Sequence, residues 1–90
     1  MNKRVGALID AKNGVARFLG YGTYVGQEIP PEDVGGLNIG IPNPKIILDS
    51  GEVIWGCECW WMPEEEMKEI ISKTKEVKLV DINDFRNKTV

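Results

Sequence analysis

The side chains best suited to chemistry or binding are two cysteines, three tryptophans and three arginines, and the chain contains no histidine. Cys57 and Cys59 form a Cys-x-Cys pair. A closed zinc site built from thiolates and imidazoles needs four ligands, so one copy of the chain cannot complete it. The pair is expected to be two reduced thiols on a strand. Two copies facing each other could instead supply four thiolates, and that alternative stays open.

Catalysis is not expected from this composition. A serine or cysteine nucleophile normally needs a histidine or a well-placed lysine as its base. The three successive carboxylates at residues 64–66 are explained by the start of a helix, where they complement the helix dipole. The glycine-bearing segments 20–22 and 35–40 lack the strand-to-helix spacing of a phosphate or dinucleotide loop. We therefore expect a binding protein without a cofactor.

Strand alternation in residues 53–61 sorts the tryptophans into two environments. One face of the predicted strand carries only apolar or thiol side chains, and we expect it to be core: Val53, Trp55, Cys57, Cys59 and Trp61. The other face places Trp60 beside Gly56 and Glu58. Trp60 is therefore the tryptophan expected to meet solvent or a ligand.

Aromatic and guanidinium side chains outside the predicted core form the candidate ligand-binding set. Its members are Arg17, Tyr21, Tyr24, Trp60 and Arg86. Flat aromatic faces beside arginines suit the base and phosphate of a nucleotide, and they suit a protein hot spot equally well.

The first half of the chain predicts an antiparallel meander that would hold these residues. A strand over 4–10 is followed by Asn13 and Gly14, a pair typical of a tight hairpin turn, and by a second strand over 15–19. A third strand is predicted over 23–29. Four prolines lie between residues 30 and 44, which predicts a long loop near the ligand site.

The second half predicts a hairpin, a helix and a last strand. Segments 45–48 and 53–55 flank a turn in which Gly51 takes the left-handed conformation. Pro63 marks a helix start, and Met67, Ile70 and Ile71 then fall on one helix face. A strand is predicted over 76–82, before a polar tail at 83–90. The fold class is α+β: a small antiparallel β-meander or SH3-like partial barrel of five or six strands with one helix in the C-terminal half.

Size and charge limit the classes of partner. Ninety residues predict a single domain, 1–90. The 11 basic and 14 acidic residues give a net charge of −3, which argues against duplex nucleic acid but permits a small anion. No apolar run is long enough to cross a membrane, and a cytoplasmic protein is expected. The apolar surplus at 55–62 predicts a homo-oligomer.

Two passages, residues 22–26 with 28–31 and residues 44–61, resemble small proteins of bacteriophages and prophages. Together they cover about a third of the chain, and the second passage is the specific marker. The resemblance implies no particular activity. Compact phage proteins are often inhibitors of host defence that sequester a signalling nucleotide or occupy a host protein. Two hypotheses stay open: a non-enzymatic module that sequesters a small anionic ligand, such as a signalling nucleotide, and a protein-interaction module that blocks a host protein.

Overall fold

The computed structural model describes residues 3–31 and 41–88, with side chains up to residue 86. It consists of six strands and two helices in the described ranges. In chain order these are β1 (Lys3–Lys12), β2 (Val15–Glu28), β3 (Asn43–Leu48), β4 (Val53–Trp55), β5 (Trp60–Pro63), α1 (Glu64–Lys73), β6 (Glu76–Leu79) and α2 (Ile82–Lys88).

The first four strands form the predicted meander. The sheet order is β4-β3-β2-β1-β5, with antiparallel pairing throughout this path. Asn13 and Gly14 have φ values of 54° and 79°, which is the twist that a two-residue hairpin requires. Gly51 has φ 97° in the turn between β3 and β4. Both predicted hairpins are therefore confirmed.

Three strand predictions are corrected. The predicted second and third strands are one long strand, β2, which runs through residues 20–22 in regular register with β1. The register shifts at Leu19 of β2 and at Ile9 of β1. The predicted strand over 53–61 is broken by a turn at 56–59. After that turn, β5 crosses to the opposite edge of the sheet and pairs with β1. The last strand is shorter than predicted, and it pairs with β2 in parallel.

Alternation along β1 divides the core between the two faces of the sheet. Val5 and Ala7 belong to one buried cluster, which also contains Ile82 of α2, and we name that side the α2 face. Leu8 belongs to a second cluster, which contains Met67 of α1, and we name that side the α1 face. Each helix therefore covers its own side of the sheet.

Helix α1 begins directly after Pro63, and three carboxylates occupy its first turn, as predicted. Met67 is fully buried, and Ile70 and Ile71 pack beside it. Helix α2 is a correction, because residues 82–88 were predicted as the end of a strand and a polar tail. Its Ile82 is 1% exposed and its Phe85 packs on the same cluster, so this segment buries apolar surface.

The predicted fold class is confirmed: the molecule is mostly an antiparallel sheet with helices in the C-terminal half, and the sheet stays open. The described residues contain two helices, where one was predicted. Most of the predicted loop at 30–44 lies outside the described residues, and Asn43 and Pro44 belong to β3.

Candidate binding site

The five predicted ligand residues do not form one site. Arg17 lies on β2 beside the β1–β2 hairpin and binds Asp10 with both ends of its guanidinium group, with Nε to Oδ1 at 2.8 Å. This hydrogen-bonded ion pair lowers the pKa of Asp10. The charge that was expected to hold an anion is therefore already engaged by a carboxylate of the chain.

The two tyrosines pack against the core on opposite faces of the sheet. Tyr21 meets the ring of Phe18 edge to face, with a centroid distance of 5.0 Å, and packs on the cluster of the α1 face. Tyr24 stacks on Trp61 at 5.4 Å, within the cluster of the α2 face. The prediction that both lie outside the core is wrong, since each ring is partly buried in packing contacts.

Arg86 has a structural role that local sequence reasoning did not identify. Its Nε and Nη2 donate to the two carboxylate oxygens of Glu58 at 2.7 Å and 2.6 Å, and Nη2 also donates to the carbonyl of Val53 at 3.0 Å. The Glu58 side chain is 4% exposed and also accepts a hydrogen bond from the backbone N–H of Trp55. This pair ties α2 to the turn at 56–59.

Trp60 is exposed, as predicted. Its side chain has 70% of its surface accessible, whereas Trp55 is only 5% exposed. Trp60 lies at the start of β5, opposite Leu8 of β1, and β5 is an edge strand of the described sheet. An indole this exposed on a sheet edge is available for contact with a partner.

Grooves lie on both sides of Trp60. The first, which we name the Cys57 groove, has a volume of about 530 Å³ and opens on the α2 face. The second, the Ile70 groove, has a volume of about 340 Å³ and opens on the α1 face. The Cys57 groove is lined by Ile9, Gly56, Cys57, Glu58, Cys59, Trp60, Trp61 and Phe85. The Ile70 groove is lined by Leu8, Asp10, Ala11, Lys12, Trp60, Met62 and Ile70.

A third groove, the Lys45 groove, has a volume of about 450 Å³ and lies over Trp55. Lys45, Asn83 and Arg86 line it with hydrogen-bond donors. Each of these donors is engaged within the chain: Lys45 with Glu28 at 3.2 Å, and Asn83 with Glu52 at 2.7 Å, beside the Arg86 pair already described. The groove thus combines cations with carboxylates that neutralise them.

The cysteines do not have the character of reactive thiols. Cys57 is exposed rather than buried as predicted, because the turn at 56–59 interrupts the strand alternation. Burial raises the pKa of Cys59 to about 12. Partial desolvation of the sulfur, together with the charge of the neighbouring Glu58, raises the pKa of Cys57. Both thiols are therefore protonated at neutral pH. Among the described residues, no group of three or more metal-ligating side chains exists.

One charged cluster was not foreseen. Arg4 of β1 binds both oxygens of Asp49, at 2.7 Å and 2.8 Å, and Glu64 at 3.1 Å. The cluster joins β1, the β3–β4 turn and the start of α1, and its hydrogen bonds lower the pKa of Asp49. Because its opposite charges are paired with one another at an exposed position, we interpret the cluster as a set of structural salt bridges on the surface rather than a ligand site.

Comparison of the chain with protein-family models, curated proteins and solved structures gives no match. None of the helices in ranges 3–31 and 41–88 is long and apolar enough to cross a membrane.

Proposed function

We propose that the chain is a non-enzymatic binding module that recognises another protein through Trp60 and the sheet edge around it. The observation that carries the proposal is the 70% exposure of this indole on an edge strand, between two grooves. Tryptophan is enriched among the residues that dominate binding energy at protein interfaces, especially where it stands between pockets that exclude water.

The chemistry of the other candidate residues supports a protein partner over a small anion. Arg17 and Arg86 each bind a carboxylate of the same chain, and both tyrosines are used in packing. A phosphate would have to displace these carboxylates before it could bind. An apolar partner surface can contact the exposed Trp60 without displacing any carboxylate. The resemblance to small phage proteins makes a host protein the expected partner, which the module would block by occupying it.

Differential affinity capture tests this function. Tagged wild-type protein and the variants Trp60→Ala and Leu79→Ala are compared as baits in a bacterial extract, with captured proteins quantified by mass spectrometry. Leu79 is a matched control because it is also an exposed apolar residue, 81% accessible, but lies on β6. We expect a partner that wild type and Leu79→Ala retain and Trp60→Ala loses. Equal capture by all three baits would contradict the proposal.

Sequestration of a small anionic ligand, such as a signalling nucleotide, is the second candidate function. The Lys45 groove is the site for it, because that groove brings the cations of Lys45 and Arg86 to one cavity. A bound phosphate would have to displace the carboxylates of Glu28 and Glu58 from them. Native mass spectrometry of the protein mixed with nucleoside mono-, di- and cyclic phosphates tests this candidate. A stoichiometric complex that Lys45→Ala abolishes would support it. A ligand-free spectrum at high micromolar nucleotide would count against it.

A further inference from the structure

The strand beside Trp60 has a free edge. β5 covers β1 only from Val5 to Leu8, where Leu8 lies opposite Trp60. β1 continues to Lys12, and in the described part of the chain no strand pairs with its remaining residues on that side. Unpaired backbone groups on an exposed sheet edge are a template for a further strand. The vacant stretch, residues 9–12, lies in line with β5. Its first residue, Ile9, is an extra residue in the pairing with β2, and residues 10–12 pair with β2 regularly.

Hairpin geometry indicates which backbone groups point into the vacant edge. Lys12 and Val15 flank the two-residue turn and therefore form a hydrogen-bonded pair, as such turns require. Hydrogen bonding alternates along an antiparallel pair, so the N–H and C=O of Ala11 point away from β2. Ala11 is exposed, and its outward N–H is the donor that an added strand would meet first.

The two grooves beside Trp60 match the alternation of an added strand. The Cys57 groove adjoins Ile9 on the α2 face, and the Ile70 groove adjoins Ala11 and Lys12 on the α1 face. Successive side chains of a strand point to opposite faces of the sheet. A strand paired with residues 9–12 would therefore place one side chain toward each groove, with Trp60 standing between them.

Charge restricts the added strand further. Lys12 lines the Ile70 groove, and the neighbouring carboxylate of Asp10 is bound by Arg17. In the described ranges Lys12 forms no salt bridge, and its charge acts on Asp10 only as a secondary cause, after Arg17, of the lowered pKa of that carboxyl. An acidic side chain on the incoming strand would meet this ammonium group beside an otherwise largely apolar groove.

We infer that the partner binds by strand addition: an extended segment of another protein, with apolar side chains and an acidic residue near Lys12, pairs with β1 at residues 9–12. This inference rests on the proposed function and specifies its binding mode. Recognition of this type obtains affinity from main-chain hydrogen bonds and specificity from pockets for alternate side chains. The short vacant edge fits a small, transient contact better than a permanent dimer of this chain.

A library of random linear peptides, displayed on particles and selected on wild-type protein, tests the inference. The Trp60→Ala variant serves for counter-selection. The affinities of the enriched peptides are then measured for two variants. Ala11→Pro removes the outward N–H at an edge position where proline is tolerated. Ala11→Val keeps that N–H and is the matched control. Each peptide is also made with N-methyl groups on alternate amides, which decides the question even if Ala11→Pro fails to fold.

We expect Trp60→Ala to weaken the peptides about 30-fold, and Ala11→Pro or peptide N-methylation to weaken them about tenfold, with little change for Ala11→Val. Peptides that depend on Trp60 but ignore both backbone blocks would overturn strand addition and leave the proposed function standing. Failure to enrich any peptide over the counter-selection would also overturn strand addition. The capture experiment with intact proteins tests the proposed function separately.

Discussion

Truncation of Arg86 should destabilise the fold rather than remove a ligand contact. The guanidinium group makes two hydrogen bonds to Glu58 and one to the carbonyl of Val53. In Arg86→Ala the Glu58 carboxylate, only 4% exposed, would keep the N–H of Trp55 at 3.1 Å as its remaining described hydrogen bond. A buried charge that loses its partner is costly, because the free energy of its desolvation is no longer offset by the ion pair.

The structure sets the size of this effect. Breaking a fully buried ion pair by removing one partner costs about 3–5 kcal/mol. The Arg86 side chain is 26% exposed, so water can reach the vacated position and lower the cost to about 2–3 kcal/mol. For a domain of this length, that loss corresponds to a fall of roughly 10–20 °C in melting temperature.

Urea unfolding followed by tryptophan fluorescence measures the free energy of unfolding directly. Arg17→Ala is the matched control, because its ion pair with Asp10 is exposed to solvent, and it should lose clearly less stability. A double-mutant cycle with Glu58→Ala should show coupling between residues 58 and 86. A loss in Arg86→Ala of less than about 0.5 kcal/mol, or one equal to that in Arg17→Ala, would refute the reasoning.

Three further expectations concern packing, thiol chemistry and acid stability. Gly6→Ala should cost about 1–3 kcal/mol in thermal unfolding, because its new Cβ would overlap with Cγ and Cβ of the buried Met67; unchanged stability would contradict that contact. Iodoacetamide at mildly alkaline pH should modify Cys57 faster than Cys59, whose pKa is raised to about 12 by burial, as peptide mass spectrometry would show; the reverse order would contradict the burial. The folded-state pKa of Asp49 lies below its ordinary 3.8, so its contribution to stability is present above pH 3.8 and disappears as the pH falls toward the folded pKa. Asp49→Asn should therefore flatten the fall in melting temperature over that acid range, and a parallel fall in wild type and variant would rule the contribution out.

Sequence rules correctly predicted the turns and the helix that are determined by residues close together in the chain. The Asn13–Gly14 turn and the Gly51 turn follow from residues that adopt positive φ, and α1 follows from Pro63, the carboxylates after it and the spacing of its apolar residues. The exposure of Trp60 was also predictable, since strand alternation across residues 60 and 61 holds in β5.

Long-range interactions decided the features that local rules missed. The predicted strand over 53–61 is interrupted because the Glu58 side chain turns inward to bind Arg86, which lies 28 residues later. The same contact draws residues 82–88 against the sheet as α2, although their sequence is largely polar. Pairing of β6 with β2 begins beside Gly14, whose carbonyl accepts hydrogen bonds from the N–H groups of Lys75 and Glu76, about 60 residues later in the chain.

At the candidate site, too, local sequence rules missed the contacts that are made by residues far apart in the chain. Arg17 and Arg86 were expected to be available to an anion because local alternation gives no information about distant carboxylates. Their partners, Asp10 and Glu58, become neighbours only when the hairpin and α2 are in place. The free edge of β1 was equally invisible, because it depends on where β5 ends, at Trp60.

Hydrogen–deuterium exchange of the chain with and without a captured partner tests the central claim most directly, because it locates the contact surface along the backbone. Binding through Trp60 and the adjoining edge predicts slowed exchange in residues 9–12 and 60–63, with little change in β3, β4 and α2. Protection concentrated in residues 43–55 and 82–88, around the Lys45 groove, with none at residues 9–12 and 60–63, would contradict the account.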